Sequence, residues 1–169
     1  WKETGGAVWL RPSTVHVIQR ASVSASVASI KAYDESTGSW VTVSDINVTA
    51  YDKWQVDFEI SVAGLKKALK AGRLYLTDYT GLTYSKAMLD AVSKALAQDL
   101  TSEDDGMTGW YVTFPDWSGG EIHHFVVTIE ETGTASSGTI TLTIVDYSAC
   151  QNTGLVWWTY ITVSISVVQ

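Results

Sequence analysis

The stretch that most constrains this chain is Thr14–Ile30, where side chains alternate with a strict period of two over an unusual length. Val15, Val17, Ala21, Val23, Ala25 and Val27 fall on one side; His16, Arg20, Ser22, Ser24 and Ser26 fall on the other, with Ile18 the main exception. Such alternation marks a strand with one buried and one wet face. At about 3.3 Å per residue, Val15 to Val27 reaches roughly 40 Å, against about 17–20 Å for a common strand. No Gly or Pro interrupts it, and its apolar side is small, Val and Ala, with polar Gln19 within it. Two readings follow. Either this strand, or its first half, completes the sheet of a neighbouring copy, or it bends across two sheets of its own domain.

A chain of 169 residues supports one well-buried domain and is short for two. Hydrophobic residues make up 46% and charged ones only 17%, which excludes a disordered chain. A formal charge of −7 repels phosphate backbones and anionic lipid, so neither nucleic acid nor membrane is expected as a partner. No apolar run approaches a membrane span. Trp1 in first place, without Met, is expected of a processed, exported chain. Cys150 is alone, so no intrachain disulfide is available. From Thr132 to Gln169 only Asp146 is charged, as expected of sheet that is largely covered.

Residues 1–30 therefore read as a leader and candidate donor strand, and 31–169 as a β-sandwich domain. Trp1–Arg11 is irregular, and Pro12 sets an extended entry. Trp40–Ala50 and Trp54–Val62 read as a hairpin joined through Tyr51–Lys53; Trp54, Val56, Phe58, Ile60 and Val62 alternate against Gln55, Asp57, Glu59 and Ser61. Gly64–Gly72 reads as a short helical turn between glycines. One amphipathic helix is predicted over 85–100, capped by Ser85, with Leu89, Val92, Leu96 and Leu100 as its stripe and Met88 and Ala95 widening it. Strands Trp110–Phe114, Glu121–Glu131, Thr139–Tyr147 and Leu155–Val168 follow. About eight strands and one helix predict an all-β, antiparallel two-sheet sandwich of jelly-roll type.

Signs of catalysis are scarce. His123 and His124 are adjacent, so in a regular strand they point to opposite faces and cannot share a metal. Asp104-Asp105-Gly106 and Asp116 lack calcium-loop spacing. Asp57/Glu59 and Glu130-Glu131 sit in ordinary polar strand patterns, not as a glycosidase pair. Cys150 has no activating neighbour, and no phosphate loop or nucleophile elbow appears. The expectation is no enzyme, no metal and no cofactor. Asn47-Val48-Thr49 is an acceptor sequon for N-glycosylation at Asn47. Eight Trp and eight Tyr leave room for an aromatic ligand surface, with Trp110, Tyr111 and Trp117 the foremost set. That keeps a carbohydrate-binding module open as an alternative class.

The order of long N-terminal strand, apolar strand, glycine-bracketed turn, strand, helix and further strands resembles the donor-strand-complemented pilus and fibre subunits of archaea, which are similar to the bacterial biofilm fibre protein TasA. The matching positions are the face Val15, Val17, Ala21, Val23, Ala25 and Val27 and the run Glu59–Leu69 followed by the strand from Leu74. The resemblance is one of arrangement. It implies an extracellular, cell-surface filament, often glycosylated, in which each subunit inserts its N-terminal strand into the next copy in a head-to-tail homopolymer. A jelly-roll viral capsid protein shares the arrangement and is a further alternative.

Overall fold

A computed structural model describes residues 22–63, 72–90, 96–98, 101–104, 108–146 and 159–169. Among these, every regular element is a strand. In chain order they are β1 (Ser22–Asp34), β2 (Ser39–Val43), β3 (Ile46–Asn47), β4 (Lys53–Ala63), β5 (Gly72–Thr77) and β6 (Leu82–Leu89). They continue with β7 (Leu96–Gln98), β8 (Thr101–Asp104), β9 (Thr108–Phe114), β10 (Ile122–Glu131), β11 (Gly138–Asp146) and β12 (Thr159–Val168).

Two six-stranded sheets pack face to face, with orders β2-β1-β4-β10-β6-β7 and β3-β12-β11-β5-β9-β8. The pairings are antiparallel except β3 with β12, which is parallel. β4 is the clearest case of sequence dictating structure. Its alternate residues Trp54, Val56, Phe58, Ile60 and Val62 are all buried, while Gln55, Asp57, Glu59 and Ser61 are half-buried on the outer face. Facing them from the second sheet are Leu74, Leu76, Val112, Phe114, Ile140, Leu142 and Ile144, so one apolar core fills the space between the layers. Phe58 and Phe125, paired across β4 and β10, stack at 6.1 Å.

The structure overturns the helix over 85–100 wherever it describes those residues. Ser85–Leu89 belongs to β6 and Leu96–Gln98 is β7, its antiparallel partner; Val92, Ala95 and Leu100 lie outside the described residues. The helical spacing has two sheet origins. A β-bulge opposite Thr128 and Ile129 leaves Ser85 unpaired, so the buried positions run Leu82, Tyr84, Ala87, Leu89 and include one step of three. Leu89 and Leu96, two helical turns apart by count, are instead direct partners across the β6–β7 pair. The Trp40–Ala50 strand is likewise broken. The chain leaves the first sheet at Ser44–Asp45 and enters the second at Ile46, so β4 pairs with β1 and β10 rather than closing a hairpin. The segment 64–71, read as a short helical turn, lies outside the described residues, and Gly72 is the buried first residue of β5.

Candidate functional site: the open side of the sandwich

β1 is longer than the strand that flanks it. β2 pairs only with Ile30–Asp34. Ser22–Ser29 therefore has β4 on one side and, among the described residues, no strand on the other. β12 repeats this in the second sheet. The two-residue β3 reaches only Val167 and Val168, so Thr159–Ser166 pairs with β11 and its outer edge carries no described strand. Both free edges, each about 26 Å long at ~3.3 Å per residue, lie on the same side of the molecule. Between them runs a cleft of about 440 Å³, lined by Val27, Ser29, Ile30, Val43, Ser164 and Ile165 and their neighbours. Its lining is mixed, with Val27, Ile30, Val43 and Ile165 among the serines Ser29, Ser44, Ser164 and Ser166. Ala28 stands at a second β-bulge, where the register shifts between Val27 and Ser29, and is exposed at the cleft.

Unpaired edge N–H and C=O groups are a template for another strand unless charge, proline or cover protects them. On the opposite side the edge strands β7 and β8 are short, and β8 carries Glu103 and Asp104. The described edges on the cleft side differ: from Ser22 to Ile30 and from Thr159 to Gln169 there is no charged residue and no proline. The two sides of the sandwich thus differ in how their described edges are protected.

Of the proposed donor face, Val23, Ala25 and Val27 lie in β1 of the chain's own first sheet, half-buried against the core and paired with Val62, Ile60 and Phe58. Val15, Val17 and Ala21 lie outside the described residues, as does Cys150.

The three aromatics proposed as a ligand surface do not share one, and this reading is corrected. Trp117 is 1% exposed, sandwiched between Phe114 at 4.2 Å and the His123 ring at 4.1 Å. Trp110 is half-buried on the inner side of β9, packed on the core, and Tyr111, the next residue, faces outward. There its ring meets the Arg73 guanidinium at 4.3 Å and the Tyr75 ring at 5.5 Å. Adjacent strand positions cannot serve one platform.

The same rule separates the histidines. His123 is on the inner side, its Nδ1 2.6 Å from Asp90 Oδ1 and its Nε2 3.0 Å from Glu121 Oε2. His124 is on the outer side with Asp57, 2.8 Å from Nδ1. Among the described residues no group of His, Cys, Asp and Glu is arranged to hold a metal. Asp90 takes a left-handed φ of 60° to reach His123, while its own N–H donates to His124 O at 2.7 Å. These bonds close one end of the sandwich. The hydrogen bond from His123, and after it the Ser118 N–H at 2.6 Å, hold Glu121 below the ordinary carboxylate value of 4.5. Lys53, 3.1 Å away, does the same for Glu130.

A carboxylate whose folded pKa is depressed contributes stability that is full above its unfolded value. That contribution disappears as pH falls through the folded value. The melting temperature should therefore decline progressively below about pH 4.5. Glu121→Gln should flatten that decline while lowering stability only slightly at pH 7; thermal melts from pH 7 to 3 check it, and an unchanged acid slope contradicts it.

No known family model and no curated protein matches the chain. Among solved structures it is similar to a von Willebrand factor type A protein from Catenulispora acidiphila, at 14% identity and a TM-score of 0.41 over 62% of this chain and 24% of that one. It is also similar to the full-length major pilin SpaD from Corynebacterium diphtheriae, at 15% identity and 0.44 over 86% of this chain and 33% of that one. A third likeness is the KRT10-binding region domain of the pneumococcal serine-rich repeat protein PsrP, at 13% identity and 0.42, covering 87% and 99%. The chain thus spans about a quarter of the first protein and a third of the second. At these scores the likenesses go no further than β architecture.

Proposed function

We propose that the chain is a structural subunit that assembles with copies of itself by strand donation across the open side of the sandwich. The observation that carries this is the pair of uncharged edges flanking one cleft that no strand covers among the described residues. The proposed donor is the first half of the long alternating stretch, Thr14–Ala21, of the next copy, whose apolar face is Val15, Val17 and Ala21. The donor cannot easily serve its own subunit. To lie beside Ser22–Ser29 it would have to reverse just before Ser22, and Thr14–Ala21 holds no Gly, Pro, Asn or Asp with which to turn. A neighbour's edge needs only an extended chain. Each donated Val that leaves water stabilises the joint by about 1.5 kcal/mol or more, and the edge ladder adds backbone hydrogen bonds. Repeated head to tail, the joint generates a filament, which suits a place at the cell surface.

Truncation tests this. A chain beginning at Ser22 should fold, remain monomeric by light scattering and form no fibres under the electron microscope, whereas the full chain polymerises. A peptide of residues 13–21 should cap growing ends and shorten fibres. Equal assembly by truncated and full chains sinks the proposal, and closed shells in place of fibres replace the filament with a capsid lattice.

A further inference from the structure

The sequon at Asn47 occupies a telling place in this fold. Asn47 ends β3, the outermost strand of the second sheet, and no strand lies beyond it among the described residues. The chain turns there: Asn47 O accepts from the N–H groups of Ala50 and Tyr51, both at 3.2 Å. The side-chain oxygen is committed as well. Oδ1 accepts from Thr49 N–H at 3.0 Å and from the Thr49 hydroxyl at 2.8 Å. Because a backbone N–H can only donate, the carboxamide atom facing it is the oxygen, which fixes the amide's orientation. Nδ2 is the end turned away from the turn, and it makes no hydrogen bond within the described residues. Thr49 and Ala50 are exposed, and neither Val48 nor Ala50 is proline.

We infer that Asn47 is the attachment site of an N-linked glycan. The chemistry is a glycosyl transfer. Nδ2 attacks the anomeric carbon of a sugar carried on a lipid phosphate. The new C–N bond forms as the C–O bond to phosphate breaks and its electron pair leaves with the phosphate. The Nδ2 proton passes to a base of the transferase. The fold carries the product without loss: both hydrogen bonds of the Asn47 side chain are on Oδ1, so a substituent on Nδ2 breaks neither. The sugar extends from the rim of the sheet beyond β3, beside the cleft rather than over its floor. The Thr49 hydroxyl holds the amide oxygen, so in the folded chain it fixes which end of the carboxamide is left to carry the sugar. The inference rests on the chain being exported, as a surface subunit is.

Trypsin releases Ala32–Lys53 as one peptide in which Asn47 is the sole Asn. From native material this peptide should be heavier than its sequence by sugar increments, and fragmentation should place them on Asn47. The excess should vanish in Asn47→Gln and Thr49→Val made in the same cells and persist in Thr49→Ser, with melting curves showing that all three fold. An unmodified Ala32–Lys53 peptide from native material overturns the inference. So does an adduct that survives Thr49→Val. Fibres made of unmodified subunits would refute the glycan and leave strand donation standing; modified subunits that never polymerise would do the reverse.

Discussion

Gly81→Ala should destabilise this domain by on the order of 3–5 kcal/mol, among the largest effects a single methyl group can have here. Gly81 has a φ of 89°, in the left-handed half of the map, where an L-residue costs about 1–2 kcal/mol. That is the smaller part. An added Cβ would lie 2.7 Å from Ala135 N and 2.8 Å from Ala135 Cα, both backbone atoms that no rotamer change can move. Ala135 is itself only 1% exposed, and Thr132 N–H donates to Gly81 O at 2.9 Å, so the two loops are docked through their main chains. Relief requires lifting the loop between β10 and β11 away from the Tyr79–Leu82 turn. At about 2–4 °C per kcal/mol for a chain of this size, the melting temperature should fall by roughly 10 °C. Gly120 supplies the control. Its φ is 90°, but nothing lies within 4 Å of a Cβ built there. Gly120→Ala should show the conformational cost alone, and if the two substitutions lower the melting temperature equally, the steric account fails.

The second large effect concerns assembly. Ala28→Arg should abolish polymerisation while leaving the subunit's melting temperature within a few degrees of normal. Ala28 is the extra residue of its bulge, exposed at the cleft and outside the core. Arginine there can extend into water in the free subunit, yet it sits where the proposed donor strand would lie. Keeping that charge beneath an apolar strand costs several kcal/mol without a partner. Val23→Asp makes the opposite prediction. Val23 is on the inner face of β1 opposite Val62, so a carboxylate there should unfold the subunit itself rather than merely block its growth. Pelleting assays paired with thermal melts separate the two outcomes. Fibres formed by Ala28→Arg would mean that the cleft is not the acceptor.

Where one face of a strand was wet and the other dry along its whole length, the sequence was readable. Lys53–Ala63 and, in β11, Ile140 to Ile144 show this, because period-two burial leaves a period-two pattern. Where a bulge changed the count, the pattern misled: one unpaired residue, Ser85, turned the β6 spacing into something helix-like. Trp117 misled for another reason. It lies between Pro115 and a glycine turn, in a setting that looks like surface loop, and only the fold brings Phe114 and His123 onto its two faces. The ties between Asp90 and His123 and between Asp57 and His124 join residues far apart in sequence, so no local signal announced them. The open side was half legible. The length of the alternating stretch was plain, but that β2 and β3 stop short of covering the edges beside them follows only from the crossing at Ser44–Asp45.

The parallel pairing of β3 with β12 also sets an order of events. Ile46 and Asn47 find their partners in Val167 and Val168, which leave the ribosome far later than they do. The second sheet therefore cannot be completed until Val167 and Val168 have been made, and a chain that must acquire such distant partners folds slowly. During that interval β3 has no strand to pair with. Until β12 is made, the sequon at Asn47 therefore stays in unpaired chain.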